Sequence, residues 1–434
     1  MSGPLLGLAG IAAMLLMLFF LRLPAAFVML VVGFFGFAAA TSFDAAATML
    51  GSEIWSSFSN YGLTVIPLFI LVGEIVHYAG YNNGLYFATH KWFGHRRGGL
   101  AMTTIMASAA FSAISGSNTA TAATMSAVAI PAMKQYKYHP LLNAGSVCAG
   151  STLGVLIPPS IVLVVYGLYT GQSIGKLFFG NVIPSVILTL LILGTVMLLC
   201  WRHPDWGPAG ERSSWRERLQ ALPEALDILL LFGVIMFALF TGVVTATEAA
   251  AVASFLAMAI AGLRGKLTWH KLVGAFAATL RISCMVFMIV AGALIFAKFL
   301  TVTGLPAETA AWIGDLDLPP WMVLWLILLC YIIGGCIMDA LAFLLVSLPI
   351  FYPLVTQLGY DPIWFGQVIT LVTTMGSIMP PIGICCYVVA GMSGLPLRTV
   401  FRSALYYLPA YLFAILVLMI SPYWTVLVLS DLVR

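Results

Sequence analysis

Long apolar segments separated by short polar ones make up most of the 434-residue chain. Each runs to roughly 20 residues, the length that an α-helix needs to cross a bilayer. The segments are continuous rather than alternating in polarity, which predicts helices and not the strands of a membrane barrel. The pattern predicts ten crossings, at residues 4–22, 24–41, 62–79, 139–170, 178–201, 224–242, 246–262, 281–301, 361–393 and 403–421.

Four of the apolar segments are interrupted by small, polar or helix-breaking residues. Segments 98–132 and 320–353 contain small or polar residues midway, and the crossings at 139–170 and 361–393 each contain Gly-x-x-x-Pro-Pro. Such a sequence breaks a helix, and unwound backbone at membrane depth is tolerated only where protein buries it or where it lines a cavity. We expect helical hairpins in the first two segments and broken helices in the other two.

The two broken helices are related by a constant shift of 222 residues. Six pairs of residues share this shift: Gly154 and Gly376, Pro158 and Pro380, Pro159 and Pro381, Tyr138 and Tyr360, Pro140 and Pro362, and Pro131 and Pro353. Self-similarity at a fixed spacing indicates an internal duplication. The predicted repeats are residues 1–220, with the first hairpin and broken helix, and residues 221–434, with the second hairpin and broken helix.

Charged residues predict the orientation of the two repeats. If both hairpins are re-entrant, the basic clusters share one side of the membrane, as the positive-inside rule requires. These residues are Arg22, Lys91, Arg96, Arg97, Lys134, Lys137, Arg202, Arg212, Arg216, Arg218, Arg264, Lys266, Lys271, Arg398 and Arg402, whereas Arg434 falls on the opposite side. Each half then has five crossings and one hairpin, so the second half is inverted. Inverted repeats with broken helices are typical of secondary transporters.

Composition supports this class and excludes others. With 62% hydrophobic residues, 8% charged residues and a mean hydropathy of +1.06, the chain cannot cover a soluble domain with polar surface. We therefore expect an all-α polytopic membrane protein in a lipid bilayer. The net charge of +4 is scattered and gives no reason to expect a nucleic-acid partner. Seven cysteines without metal-ligand spacing are expected to be buried thiols.

Side-chain oxygens at the first hairpin favour a hard cation such as sodium. The polar tip extends over Ser115 to Pro131, opposite the backbone carbonyls that the first break frees. The alternative is that its small residues only allow helices to pack closely. The predicted first sodium site consists of Ser115, Ser117, Asn118, Gly154, Leu156 and Pro158.

The second hairpin carries an ionisable residue, Asp339, deep in an apolar segment. Such a residue is a functional hypothesis by default, although Asp339 could instead only cap the returning helix. The predicted second sodium site consists of Gly335, Asp339, Thr373, Thr374, Gly376 and Met379.

The substrate prediction rests on helix N-termini, because no basic cluster lies in the apolar core. Helices that begin near Thr119, Ser160, Asp339 and Ile382 would direct their positive dipole ends inward, which favours a small organic anion. The candidate substrate contacts are Asn118, Ser160 and Asp339.

Glu74 and Lys298 occupy equivalent places in the repeats. Lys298 is either an anion contact or a charge without a binding role. We prefer the second interpretation, in which Lys298 snorkels to the membrane surface or is neutralised by Glu74.

These motifs resemble the large membrane subunit of tripartite ATP-independent periplasmic transporters. The matching stretches include IPLFILVGEIVHYAG at 66–80, SGSNTATAATMSAVAIPAMKQYKY at 115–138 and GSIMPPIGICCYVVAGMSG at 376–394. The resemblance implies an elevator-type, sodium-coupled importer of carboxylates in the bacterial inner membrane, with no cofactor besides sodium. It also implies two partners, a small four-helix membrane subunit and a periplasmic substrate-binding protein. The tip Ser117-Asn118-Thr119 and the pair Cys385-Cys386 depart from the pattern we expect of this family.

Two other functions compete with ion-coupled import. One is a stand-alone sodium/dicarboxylate carrier of the divalent-anion type, which would need no binding protein. The other is a membrane-embedded hydrolase with Ser117 or Ser146 as nucleophile and His139 as base. His139 is expected at the cytoplasmic end of a crossing and Ser117 near the midplane. This difference in depth corresponds to about ten helical residues, or about 15 Å, which is beyond hydrogen-bond reach. We therefore do not expect an enzyme.

The inverted arrangement predicts that the two hairpins open to opposite sides of the membrane. A cysteine introduced at Lys137 should react with an impermeant thiol reagent added on the cytoplasmic side, and one at Gly359 with reagent added on the periplasmic side. Labelling of both positions from the same side would contradict the arrangement.

Overall fold

The computed structural model describes residues 3–21, 23–210, 212–315 and 318–431, so Arg22 and Arg434 lie outside it. The described residues form helices and no strand, which confirms the all-α class. Helices of the first half are α1 (Gly3–Leu16), α2 (Ala25–Ala40), α3 (Phe43–Ser59), α4 (Val65–Tyr78), α5 (Tyr81–Phe93), α6 (Gly99–Ser115), α7 (Asn118–Gln135), α8 (Pro140–Ser151), α9 (Ile161–Thr170), α10 (Ile174–Gly180) and α11 (Val182–Arg202).

The second half shows a similar order of elements, in which a hairpin is followed by a broken helix. Its helices are α12 (Trp215–Phe240), α13 (Ala246–Leu263), α14 (Trp269–Val302), α15 (Leu305–Asp315), α16 (Pro320–Ile337), α17 (Ala340–Gln357), α18 (Pro362–Gly376), α19 (Ile384–Ser393), α20 (Leu397–Leu405), α21 (Leu408–Ile420) and α22 (Val428–Ser430). Short 3₁₀ or π turns lie at Met17–Leu21, Tyr61–Thr64, Thr152–Val155, Pro204–Trp206 and Tyr423–Leu427.

Six described helices are long and apolar enough to cross a membrane, or eight if two bent helix pairs each count as one span. Two of the six, α16 and α17, are the arms of the second hairpin, with 18 residues each. Helix length therefore does not decide whether this hairpin is re-entrant. The apolar pattern missed α3, α5 and α15, because polar residues interrupt these helices and none contains a continuous apolar segment.

A tightly packed helix pair, α2 and α14, forms the centre of one part of the molecule. A methyl group on Gly292 would lie 2.4 Å from the Ala26 carbonyl oxygen, and one on Gly33 would lie 2.8 Å from the Phe296 amide nitrogen. Glycine on both helices thus lets the two backbones touch. Helix α4 packs on α13 and α14, and the Ser254 hydroxyl donates to the Leu68 carbonyl across 2.9 Å. We call α2, α4, α13 and α14 the support helices.

The hairpins and broken helices form the other part. Helices α6 and α7 both pack on α8, α16 and α17 both pack on α18, and α19 packs on α7. The buried Gln367 amide of α18 donates to the Leu177 carbonyl of α10 across 2.7 Å. This bond joins the second broken helix to the first half, so the two halves interlock in this part of the molecule.

Two structural details refine the earlier expectations. Lys137 and Gly359 have positive φ angles of 56° and 83°, so the exposed ends of α7 and α17, Gln135 and Gln357, are better positions for the labelling cysteines. All seven cysteines are free, but only five are buried. The prediction of buried thiols was wrong for Cys284 and Cys330, which are exposed on helix surfaces.

Candidate functional site

Each hairpin reverses direction in a tip of two residues. The first tip is Gly116–Ser117, and the Ser117 hydroxyl accepts a hydrogen bond from the Ala120 amide across 3.4 Å at the start of α7. The second tip is Met338–Asp339, where the Asp339 carboxylate accepts from the Leu341 amide across 3.2 Å. The sequence-based tip of Ser115 to Pro131 was too long, because small residues such as alanine continue the helix.

Each broken helix is interrupted where the glycine and proline pattern predicted. After α8, one 3₁₀ turn at Thr152–Val155 is followed by non-helical backbone up to Ser160, whose hydroxyl accepts from the Leu163 amide across 3.4 Å. After α18, the chain stays non-helical until Gly383, which has a positive φ of 55°. The breaks leave backbone groups without helical partners inside the protein.

The first tip packs directly on the first break. The Asn118 side-chain oxygen accepts a hydrogen bond from the Val155 amide across 3.0 Å. A methyl group on Gly154 would lie 2.4 Å from the Ser117 carbonyl oxygen. Only glycine at position 154 allows this approach, so the tip and the break fit each other backbone to backbone.

The second tip and the second break meet in the same way. A methyl group on Gly376 would lie 2.6 Å from the carbonyl carbon of Gly335, and one on Gly335 would lie 2.6 Å from the Thr373 carbonyl oxygen. The Gly383 amide donates to the Cys336 carbonyl across 3.1 Å. The structure therefore places Ser117 and Asn118 beside Gly154 at the first break, and Gly335 beside Thr373 and Gly376 at the second.

Hydrogen bonds show which of the predicted ligand oxygens are already used and which are available. The Leu156 carbonyl accepts from the Asn181 amide and from the Ser185 hydroxyl, the latter across 2.9 Å, so both its lone pairs are used. The prediction of Leu156 as a cation ligand does not fit this geometry. The Thr374 hydroxyl is buried and has no hydrogen-bond partner among the described residues. An oxygen of this kind is available to a cation.

A cavity of about 760 Å³ lies between the first turn of α7, the second tip and the support helices. Its lining includes Thr119 from the first hairpin, Asp339 from the second tip, Ile382 after the second break and Met288 from α14. The volume is within the range of small-molecule sites, roughly 300–1,000 Å³. Asp339 is exposed to this cavity and is its only charged lining residue among those described.

The predicted substrate contacts do not all reach this cavity. Asn118 and Ser160 are buried, at 5% and 0% exposure, and neither lines it. Asn118 faces the first break instead, and Ser160 caps α9. Thr119, which the substrate prediction omitted, lines the cavity at the N-terminal turn of α7.

A second cavity, of about 420 Å³, lies on another side of the first tip and contains Glu74. Glu74 forms no ion pair with Lys298, so neutralisation of Lys298 by Glu74, one of the two forms of the preferred interpretation, is wrong. The Lys298 ammonium lies 3.4 Å from a carboxylate oxygen of Glu53 on α3. Sequence reasoning missed this pair because α3 was not expected as a helix.

The residues proposed for a hydrolase do not form a catalytic pair. The Ser146 hydroxyl donates to the Asn143 carbonyl across 3.1 Å, and the Ser117 hydroxyl is bonded to that of Thr119. The His139 ring nitrogen Nδ1 accepts from the Leu141 amide across 3.3 Å. In the described part of the chain, neither serine is hydrogen-bonded to an imidazole.

Comparison with known proteins gives a consistent result. The family described as "Tripartite ATP-independent periplasmic transporter, DctM component" matches residues 12–425. A C4-dicarboxylate transporter large permease protein of this family from Pseudomonas aeruginosa is 34% identical over 374 residues, which cover 86% of this chain and 87% of the relative. A sialic acid transporter large permease protein from Vibrio cholerae is 30% identical over 384 residues, which cover 88% of each.

A solved structure is similar in fold. The crystal structure of the YdaH transporter from Alcanivorax borkumensis matches 88% of this chain and 89% of its own, with a TM-score of 0.64 and 15% identity. Likeness at that identity concerns the fold alone. The family match and the relatives extend over most of the sequence, and the chain therefore belongs to the large permease subunits of tripartite ATP-independent periplasmic transporters.

Proposed function

We propose that the protein is the membrane subunit that moves small organic acids across the bacterial inner membrane, coupled to sodium. The main support for this proposal is that two hairpin tips pack on two helix breaks, next to one cavity of about 760 Å³. Paired breaks of this kind supply backbone groups for ion and substrate binding in secondary transporters. A structural subunit would have no need of them.

Carboxylates are the proposed substrate class. The relatives described above are named for C4-dicarboxylates and for sialic acid, which are both carboxylates. In this chain the N-terminal turns of α7 and α17 reach the cavity through Thr119 and Asp339. Their amide groups suit the anionic end of such a solute. A cation bound beside Asp339 would remove its repulsion of the substrate.

Two sodium sites follow from the two tips and breaks. The first uses oxygens of Ser115, Ser117 and Asn118 with carbonyls around Gly154 and Pro158, without Leu156. The second uses oxygens around Asp339, Thr374 and Gly376, with the carbonyls of Gly335, Thr373 and Met379. The unpartnered Thr374 hydroxyl supports the second site, and the remaining lone pair of the Asn118 oxygen supports the first.

An elevator movement is the proposed mechanism. The support helices α2 and α14 pack by backbone contact. The part formed by the hairpins and broken helices is held together separately, for example by the hydrogen bond from Gln367 to the Leu177 carbonyl. We propose that the part formed by the hairpins and broken helices slides against the support helices. We also propose that the two repeats have inverted topology. A small four-helix membrane subunit would brace the support helices, and a periplasmic binding protein would deliver the solute.

The two-partner requirement distinguishes this function from a stand-alone carrier. The purified chain should be reconstituted in liposomes with and without its two partners, and uptake of labelled carboxylates measured, starting with a C4-dicarboxylate and sialic acid. We expect uptake only with both partners and an inward sodium gradient. Robust uptake by the chain alone would favour the stand-alone carrier, and uptake driven equally by a pH gradient would contradict sodium coupling.

Replacement of Asn118 by alanine tests the first sodium site. Loss of one ligand oxygen should weaken sodium binding by about 1–3 kcal/mol, or roughly tenfold to a hundredfold. The sodium concentration for half-maximal uptake should rise accordingly. Asn83→Ala makes the same change at an exposed position of α5 and should leave that concentration unaltered. An unchanged sodium dependence in Asn118→Ala would exclude this residue from the site.

A further inference from the structure

Glu74 is a carboxylate in the apolar helix α4, and its side chain has no partner among the residues that the structure describes. In the described part of the chain, three other carboxylates pair with basic side chains, in Lys91–Glu217, Arg264–Asp227 and Lys298–Glu53. Glu74 forms no hydrogen bond or ion pair with any residue that the structure describes. An unpaired charge within an apolar membrane helix is costly and is commonly found where ions pass.

The side chain lines the 420 Å³ cavity together with hydroxyl groups of the first hairpin. These belong to Ser115, Ser117, Thr119 and Thr124. Helix α4 comes close to the hairpin at the neighbouring Gly73, where a methyl group would lie 3.2 Å from the Ile114 carbonyl oxygen and 3.4 Å from the Ser115 α-carbon. The carboxylate therefore lies beside the end of α6, on the same cavity as hydroxyls that belong to the first sodium site.

The chemistry of this lining suits a monovalent cation. Carboxylate and hydroxyl oxygens are ligands for hard cations, and a single carboxylate is too little charge for a tight divalent site. The nearby His77 ring nitrogen Nδ1 lies 3.1 Å from the side-chain amide of Asn82, so this ring is hydrogen-bonded within its own segment and not to Glu74. Thr119 and Met285 line this cavity and the 760 Å³ cavity alike, so the two adjoin.

We propose that the Glu74 cavity is a further sodium site, which holds the ion between the first hairpin tip and the cytoplasm. The inference rests on the sodium coupling proposed above. Glu74 belongs to the support helices, whereas the hydroxyl groups belong to the part that slides. It also lies about one turn from the end of α4 that the charge pattern assigns to the cytoplasm. The complete site would therefore form only when the tip faces inward.

This location predicts an effect on internal rather than external sodium. Proteoliposomes with both partners present should be loaded with increasing sodium, with the binding protein added only outside so that one orientation is active. Two quantities are measured: the internal sodium that halves uptake and the external sodium that supports half-maximal uptake. In Glu74→Gln the ratio of internal to external concentration should rise about tenfold, because the carboxylate attracts the cation at short range.

Three further variants sharpen the test. Glu53→Gln removes a carboxylate that is paired with Lys298 and should leave the ratio unchanged. Glu74→Asp keeps the charge and should change the ratio by less than threefold. Thr124→Val removes a hydroxyl from the same cavity and should raise the ratio about threefold, which keeps the inference testable if Glu74→Gln does not assemble with its partner subunit.

The outcomes separate this inference from the proposed function. If wild-type uptake needs sodium and the ratio in Glu74→Gln stays at its wild-type value, only the Glu74 site is wrong. A rise in Glu74→Asp as large as that in Glu74→Gln would also overturn it, because the charge would not be the cause. If Glu74→Gln instead abolishes a pH dependence of uptake and leaves the ratio unchanged, the residue binds a proton and not sodium. Sodium-independent uptake by the wild type would refute the proposed coupling itself.

Discussion

The contact between a hairpin tip and a broken helix is the constraint on which the rest of the structure depends. A break in an apolar helix leaves buried amide and carbonyl groups that cost about 1–3 kcal/mol each when nothing bonds to them. Here residues next to the tips satisfy two of them. The Asn118 side-chain oxygen accepts from the Val155 amide, and the Cys336 carbonyl accepts from the Gly383 amide. The contact needs glycine at positions 154 and 376, since any side chain would meet backbone.

This constraint also explains where binding can occur. The backbone of a break that is packed on a tip presents carbonyl oxygens and amides at fixed positions. The 760 Å³ cavity lies beside both tips, so ions at the breaks and a solute in the cavity would be close enough to influence each other. The support helices close the cavity on another side through α2 and α14. Coupling would thus be a local electrostatic effect at the tips.

Local sequence signals predicted the breaks and hairpins well. Gly154, Pro158 and Pro159 and their counterparts 222 residues later marked the broken helices, because the backbone effects of glycine and proline are local. Tip length and the amphipathic helices α3, α5 and α15 were missed, because alanine-rich and mixed sequences are compatible with more than one element. Contacts between distant segments, such as Asn181 with Leu156 or Glu53 with Lys298, leave no pattern in a single sequence.

The number of sodium ions that move with each solute tests the central claim most directly. Uptake of labelled sodium and of labelled solute should be measured together in proteoliposomes that contain the chain, its small membrane subunit and the binding protein. Because two tips are seated on two breaks, the account predicts that at least two sodium ions enter with each solute molecule. Entry of only one sodium ion, or of none, with each solute molecule would contradict it.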